Sequence, residues 1–287
     1  MTTSQSTFIP RSEEVNSVLS AENVEDANTI SAFLASPSYP FDFTDPDDTV
    51  YVLIGSAILP TVKATLDHIA KCTDPATLVL AGGIGHSTSL LYQAVSQHPK
   101  YCSLSDRVEG LTEAKVFELL LLNFWPDLKD RIENGTLKLL IDDRSANCGA
   151  NAIETKKELD KHGIQPKRLF IVQDPTMHRR TLATFKKVFE HEKVELLPWS
   201  FFPKLSLDSN GTASWDISSQ IVGGIENYEL WETSRFISLI LGEIPRIRDD
   251  KNGYGPQGAG YIAHVDIPKD VEKAWTRLNT ALQQRTT

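Results

Sequence analysis

The sequence has no uninterrupted apolar stretch of the roughly 18–20 residues needed to cross a bilayer, so no membrane span is expected. It is poor in cysteine: Cys72, Cys102 and Cys148 are odd in number and widely spaced. That argues against a disulfide framework and for reduced thiols. Basic charge is also short, with 29 Lys and Arg against 38 Asp and Glu, a net charge of −9 and a pI near 5.3. Phosphate backbones are bound by basic surfaces, so no general nucleic-acid binder is expected. The start, MTTSQSTFIPRSEEVNS, lacks a basic segment leading into an apolar core. This predicts no secretory signal and a cytoplasmic location. Asn134-Gly135-Thr136 and Asn210-Gly211-Thr212 fit the glycosylation pattern, but Asn-Gly is also a strong turn signal, and turns are expected.

Several catalytic signatures are absent too. There is no Cys/His set with zinc spacing, no HExxH and no GxSxG, which argues against a zinc hydrolase and an α/β-hydrolase. The Gly-rich run from Arg248 to Pro256 fails the EF-hand pattern, because Lys251 and Gly253 stand at ligand positions. It reads as a shaped loop covering a site. No residue is assigned to a metal.

What is present is a rhythm. TVYVLIG (49–55), TLVLAGG (77–83), LKLLIDD (137–143), RLFIVQD (168–174) and VELLPW (194–199) are short apolar runs, with helical stretches between them. Alternation of this kind predicts βαβ units and an α/β fold: a Rossmann-like parallel sheet of about five strands flanked by helices. Residues 1–22 read as a polar arm and 23–200 as the Rossmann-like domain, opening with a helix over 23–35. Residues 201–287 read as a smaller, mostly helical part covering the site. Within it, FFPKLSLDSNGTASWDIS is loop-like, 226–241 looks helical and a last helix runs over about 268–283.

In an open parallel sheet, ligands bind outside the carboxyl ends of the strands, where helix amino termini point into the crevice. Four strand-to-helix junctions are polar or Gly-rich. The first, Gly55-Ser56-Ala57, lets a ligand approach the backbone, or is a simple tight turn. The second, Gly82-Gly83-Ile84-Gly85-His86-Ser87-Thr88, offers backbone N–H groups and hydroxyls to phosphate or carboxylate, or is a structural loop. It is neither the dinucleotide fingerprint nor a Walker A loop. The third runs from Asp142 and Asp143 to Asn151; an acid at a strand end can take ribose hydroxyls or help hold a metal, and Ser145 or Asn147 can cap the next helix. The fourth reads as an N-cap, Asp174, followed by Pro175 at the first helical position. His178, Arg179 and Arg180 follow in or just after the first turn, where each cation is disfavoured by roughly 0.3–1 kcal/mol. An anionic ligand would compensate, and so would ion pairs to Asp142, Asp143 or Glu113. Glu113 itself follows Thr112, and capping by Thr112 with a dipole role for Glu113 suffices to explain the pair.

Together these segments resemble the YdcF-like (YdcF/SanA/ElyC) family, most closely its cytoplasmic bacterial members. The resemblance rests on AGGIGHST (81–88), Thr112-Glu113-Ala114, SANCGANA (145–152), VQDPTMHRRTLATF (172–185), GEIPRIRDDKNGYGPQG (242–258) and HVDIP (264–268), and runs from about Val50 to about Leu282. It implies a five-stranded Rossmann-like sheet with a smaller helical part, and binding of S-adenosylmethionine without an established reaction. The pocket residues it implies are Gly83, Gly85, His86, Ser87, Glu113, Asn147, Asn151, Asp174, His178 and Arg179. Envelope members carry a membrane anchor, and none is expected from this sequence.

The expected function is binding of a small anionic or nucleotide-like ligand, S-adenosylmethionine first, with group transfer as the expected reaction class. Glu113, Asp174 and His178 are the catalytic candidates. Gly55, Ser56, Gly83, Gly85, His86, Ser87, Asp143, Asn147, Asn151 and Arg179 are the ligand-binding candidates, and Asp142 shares with Asp143 the role of facing hydroxyls. Two alternatives are a phosphoester hydrolase with a divalent cation on Glu113, Asp142 and Asp174, and a non-catalytic ligand sensor.

Overall fold

The computed structural model describes residues 19–36, 49–145, 147–201, 204–216 and 224–283. Most of the arm expected over 1–22 therefore lies outside the described residues. Five strands form one parallel sheet: β1 (Thr49–Ile54), β2 (Ala76–Ala81), β3 (Leu137–Asp142), β4 (Arg168–Val172) and β5 (Glu195–Trp199), in the order β3-β2-β1-β4-β5. The α/β, Rossmann-like class follows. Pro198 lies in β5, opposite Ile171, and the missing N–H is tolerated there because β5 is an edge strand.

Period-two alternation divides the strand side chains between two cores. Tyr51, Leu53, Leu78, Leu80, Phe170 and Val172 face one side, toward α2 (Leu59–Lys71) and α5 (Glu113–Phe124). Val50, Val52, Ile54, Val79, Leu169 and Ile171 face the other. There they meet Ala152 and Leu159 of α7 (Cys148–Lys161) and Leu182, Phe185 and Phe189 on and beyond α8 (His178–Val188). Between these helices lie α3 (Thr88–Gln97), the short α4 (Ser105–Val108) and α6 (Pro126–Glu133). Asn134-Gly135 and Asn210-Gly211 are turns, with φ of +81° and +77° at the glycines.

The carboxyl-terminal part contains α9 (Thr233–Ile247) and α10 (Lys269–Gln283). The segment after Ser200 is not all loop: β6 (Leu205–Leu207) and β7 (Ala213–Trp215) form an antiparallel hairpin. Asp208 Oδ1 closes its turn by accepting from Asn210 and Thr212 N–H, both at 2.8 Å. Three-residue strands are too short to show a countable period. The helix expected over 226–241 begins instead at Thr233 and runs on through Gly242 and Pro245. The amino-terminal helix α1 (Ala21–Ala35) packs with this part. The Asn28 side chain bonds Leu205 N–H and carbonyl at 2.8 and 2.9 Å, and Asp26 is held by Arg277 of α10. No described helix is long and apolar enough to cross a membrane, and all three cysteines are free thiols.

Candidate functional site

The ladders of β1 and β2 each run one residue past the strand. Gly55 N–H donates to Ala81 carbonyl and Gly82 N–H to Asp142 carbonyl, both at 2.8 Å. The first turn of α5 is seated on the same glycine segment: Glu113 N–H donates to Gly83 carbonyl (3.2 Å) and Ala114 N–H to Gly82 carbonyl (2.8 Å). The strand-end carbonyls thus satisfy helix N–H groups that a cap would otherwise serve. Thr112, expected to cap, makes no side-chain cap bond, and its hydroxyl is buried without a partner.

This seating lays the Glu113 side chain across two glycines. A Cβ on Gly55 would fall inside the Glu113 carboxylate, and one on Gly82 would come within 2.9 Å of Glu113 Cβ. Gly82 also has a φ of +153°. Glycine stands at these strand ends because a carboxylate comes against the backbone. Gly85 N–H donates to Thr88 Oγ1 (2.8 Å), so the Thr88 hydroxyl proton is turned to Glu113 Oε1 (3.0 Å). Among the described residues, no donor reaches Glu113 Oε2. Burial raises the Glu113 carboxyl above its ordinary range; Thr88 opposes this and the Asp174 charge adds to it.

Asp174, 4% exposed, stands at the end of β4. Its Oδ1 accepts from Thr176 N–H (3.0 Å) and Thr176 Oγ1 (2.6 Å), and Ser56 Oγ lies 3.4 Å from Oδ2. The Ser56–Asp174 contact crosses from β1 to β4, the place where strand order reverses and ligands of such sheets collect. Burial pushes Asp174 up, against the pull of Thr176, the Trp231 indole and the charge of Arg235. Asp174 does not cap α8 as expected. Pro175, Thr176 and Met177 form a turn closed by the Asp174 side chain, and the helix starts at His178. A short acid that bonds the backbone two residues on offers an alternative to the cap.

The glycine loop is open beside these acids. Ile84, Gly85, His86 and Ser87 are exposed, and Ile84, an apolar residue, is 57% exposed. Gly83 packs down, donating to Ser145 carbonyl (2.6 Å). Among the described residues, the N–H groups of Ile84, His86 and Ser87 have no acceptor.

At the third junction the polar groups are turned to one another. Asp142, fully buried, takes Arg144 N–H at 3.1 Å and Ser145 Oγ at 2.7 Å, and Ser145 Oγ lies 2.5 Å from Asn151 Oδ1. Asn147 is the N-cap of α7, accepting from Ala150 N–H at 3.0 Å. Asp143 is exposed.

The cations of the fourth junction are compensated, but by residues other than the expected acids. Arg180 binds Glu243 of α9 through two bonds of 2.6 and 3.0 Å. Arg179 donates to Phe33 carbonyl at the end of α1, with its guanidinium 4.1 Å from the Phe33 ring centroid. His178 is fully buried, lies 3.1 Å from Ile171 carbonyl through Nε2, and is held down to about 4 chiefly by burial. It is neutral at pH 7, so Nε2 carries the proton donated to Ile171.

Sequence reading passed over Trp231 and Arg235, because neither stands at a strand end. The indole of Trp231 and the charge of Arg235 both act on Asp174, and Arg235 Nη2 lies 3.5 Å from Ser87 Oγ. The available signal was an arginine in the first turn of a helix, the argument already applied to Arg179. The Gly-rich loop after Arg248 is flanked by ties to two helices: Ala263 N–H donates to Ala183 carbonyl of α8, and Arg248 binds Glu272 of α10 at 2.6 and 2.9 Å. At the opposite edge of the sheet, a hollow of about 490 Å3 is lined by Thr49, Ala76, Thr136, Lys138 and Gln165, among others, with no carboxylate. No protein-family model matches the chain.

Proposed function

We propose that this chain is a YdcF-like small-molecule-binding protein whose ligand is an adenosyl or other nucleotide-like compound, S-adenosylmethionine first, held where β1, β2 and β4 end. One observation carries the reading. Glu113, Ser56, Asp174 and the open Ile84–Ser87 loop meet at the reversal of strand order, with Glu113 Oε2 and three loop N–H groups unspent. Such a crevice supplies the few convergent polar groups that orient a small ligand. Transfer of a group from such a ligand relies mainly on positioning. Were a methyl group passed from a sulfonium to a hydroxyl or amine, one proton would be released, and Glu113 Oε2 is the acceptor for it.

The cation-dependent hydrolase is less well supported. Asp142 is committed to Ser145 and the Arg144 N–H, and no group of three or more His, Cys, Asp or Glu among the described residues suits a metal. The test is thermal unfolding of the full chain with S-adenosylmethionine, S-adenosylhomocysteine, nucleotides and divalent metals. A compound at 100 times its Kd adds about 2.7 kcal/mol of stability. The reading expects a shift with adenosyl compounds; a shift only with metals and phosphorylated compounds would hand the site to the hydrolase.

A further inference from the structure

Most of the arginines in the interior and around the sheet have evident work. Arg180, Arg246, Arg248 and Arg277 each hold a carboxylate, Arg131 binds the carbonyls of Ile69, Cys72 and Asp74, and Arg179 is taken by Phe33. Arg235 differs. Among the described residues it has no ion pair, and its guanidinium, with five donors, has one long bond of 3.5 Å to Ser87 Oγ. It stands third in the fifteen-residue helix α9, where unpaired N–H groups disfavour a cation. Its charge falls on Asp174, yet both oxygens of Asp174 are met by Thr176 and Ser56. Neutralising Asp174 therefore leaves the donors of the fork idle. They lie at the mouth of the loop whose Ile84, His86 and Ser87 N–H groups are also unspent.

We propose that Arg235 is the anion-recognising residue of this crevice, and that its ligand carries a carboxylate or phosphate seated between the guanidinium and the Ile84–Ser87 loop. This rests on the reading of the crevice as a ligand site and adds the charge that the ligand must bear. A planar fork matches either oxyanion through two parallel bonds, and successive backbone N–H groups complete an anion nest. The exposed Ile84 side chain places apolar surface on the same loop, suited to a ligand whose anionic group hangs from an apolar or aromatic body.

The test is calorimetric titration of the full chain, as wild type, Arg235→Lys and Arg235→Ala, with four probes: inorganic phosphate, AMP, S-adenosylmethionine and adenosine. Arg235 is part-exposed in a first helical turn, so alanine there leaves the fold intact, which circular dichroism verifies. AMP and phosphate report a phosphate source, S-adenosylmethionine a carboxylate source, and adenosine has neither group. The proposal expects at least one anionic probe to bind the wild type more tightly than adenosine, and Arg235→Ala to weaken it by roughly 10- to 100-fold, with adenosine little changed. Arg235→Lys, which keeps the charge and loses the fork, should fall between. Equal binding of the anionic probe by wild type and Arg235→Ala, or no anionic probe bound by the wild type, overturns it. Phosphate binding that depends on Arg235 with no adenosyl compound bound would sink the nucleotide reading alone. Adenosyl binding indifferent to Arg235 would sink the anion assignment alone.

Discussion

At the end of β2, the Gly82–Thr88 loop and Glu113 leave three N–H groups and one carboxylate oxygen unspent; at the end of β4, His178, Arg179 and Arg180 each have a partner inside the fold. Both junctions look equally chemical in sequence, with charged or polar side chains crowding a helix start. What separates them is that the three basic side chains of the fourth junction are already engaged. A guanidinium gripped by a buried carboxylate is part of the architecture, whereas a backbone N–H facing solvent has capacity left for a ligand. Changes at His178, Arg179 and Arg180 should therefore cost stability and spare binding, and changes at the second junction do the reverse.

The largest effect is expected from Arg180→Ala. It strands Glu243, which is 1% exposed, with Arg246 as its remaining partner among the described residues. A broken buried pair costs about 3–5 kcal/mol, readable by urea unfolding; a loss under 1 kcal/mol would free Arg180 for another role. Next is the pH response of His178. Its folded value lies below its unfolded one, so the stability it contributes is present above pH 6.5 and is lost as pH falls toward about 4. From the size of that shift, the wild type should lose about 3 kcal/mol more than His178→Gln between pH 7 and pH 4. Parallel pH profiles for the two proteins would contradict the burial of a neutral imidazole.

A smaller loss, about 1–2 kcal/mol, is expected for Arg179→Ala, which removes the bond to Phe33 carbonyl and the stacking on its ring. Ligand affinity should stay the same; weaker binding with unchanged stability would move Arg179 into the site and blur the contrast. The smallest stability effect belongs to Glu113→Gln. It removes a partly desolvated charge beside Asp174 and keeps the shape, so stability should change by less than about 1 kcal/mol, toward the variant if at all. Binding or turnover should suffer instead.

The sheet was legible because its signal is local and repeated. Five apolar runs separated by helical stretches leave few alternatives, and the glycines at 55, 82, 83 and 85 mark the strand ends. Glu113 drew attention through a motif, but the reason for its position did not. Only the fold brings its carboxylate onto Gly55, 58 residues earlier in the chain. The fourth junction misled for a related reason. Asp174-Pro175 obeys the rules for a helix start, yet the side chain closes a turn on Thr176, and the partners of Arg179 and Arg180 lie on α1 and α9. Long-range pairing of that kind leaves no trace in local spacing. Arg235 was missed because attention to strand ends passes over a residue that reaches the crevice from a helix outside the sheet.

The measurement that bears most directly on the account is an amide NMR titration of the deuterated full chain with S-adenosylmethionine. The account predicts the largest shifts at Ile84, His86, Ser87 and Glu113, with Arg179, Arg180 and the strand starts near Thr49 and Ala76 undisturbed. Shifts concentrated at Thr49, Ala76, Thr136 and Gln165, or at the start of α8, would contradict it and place the ligand elsewhere on the sheet.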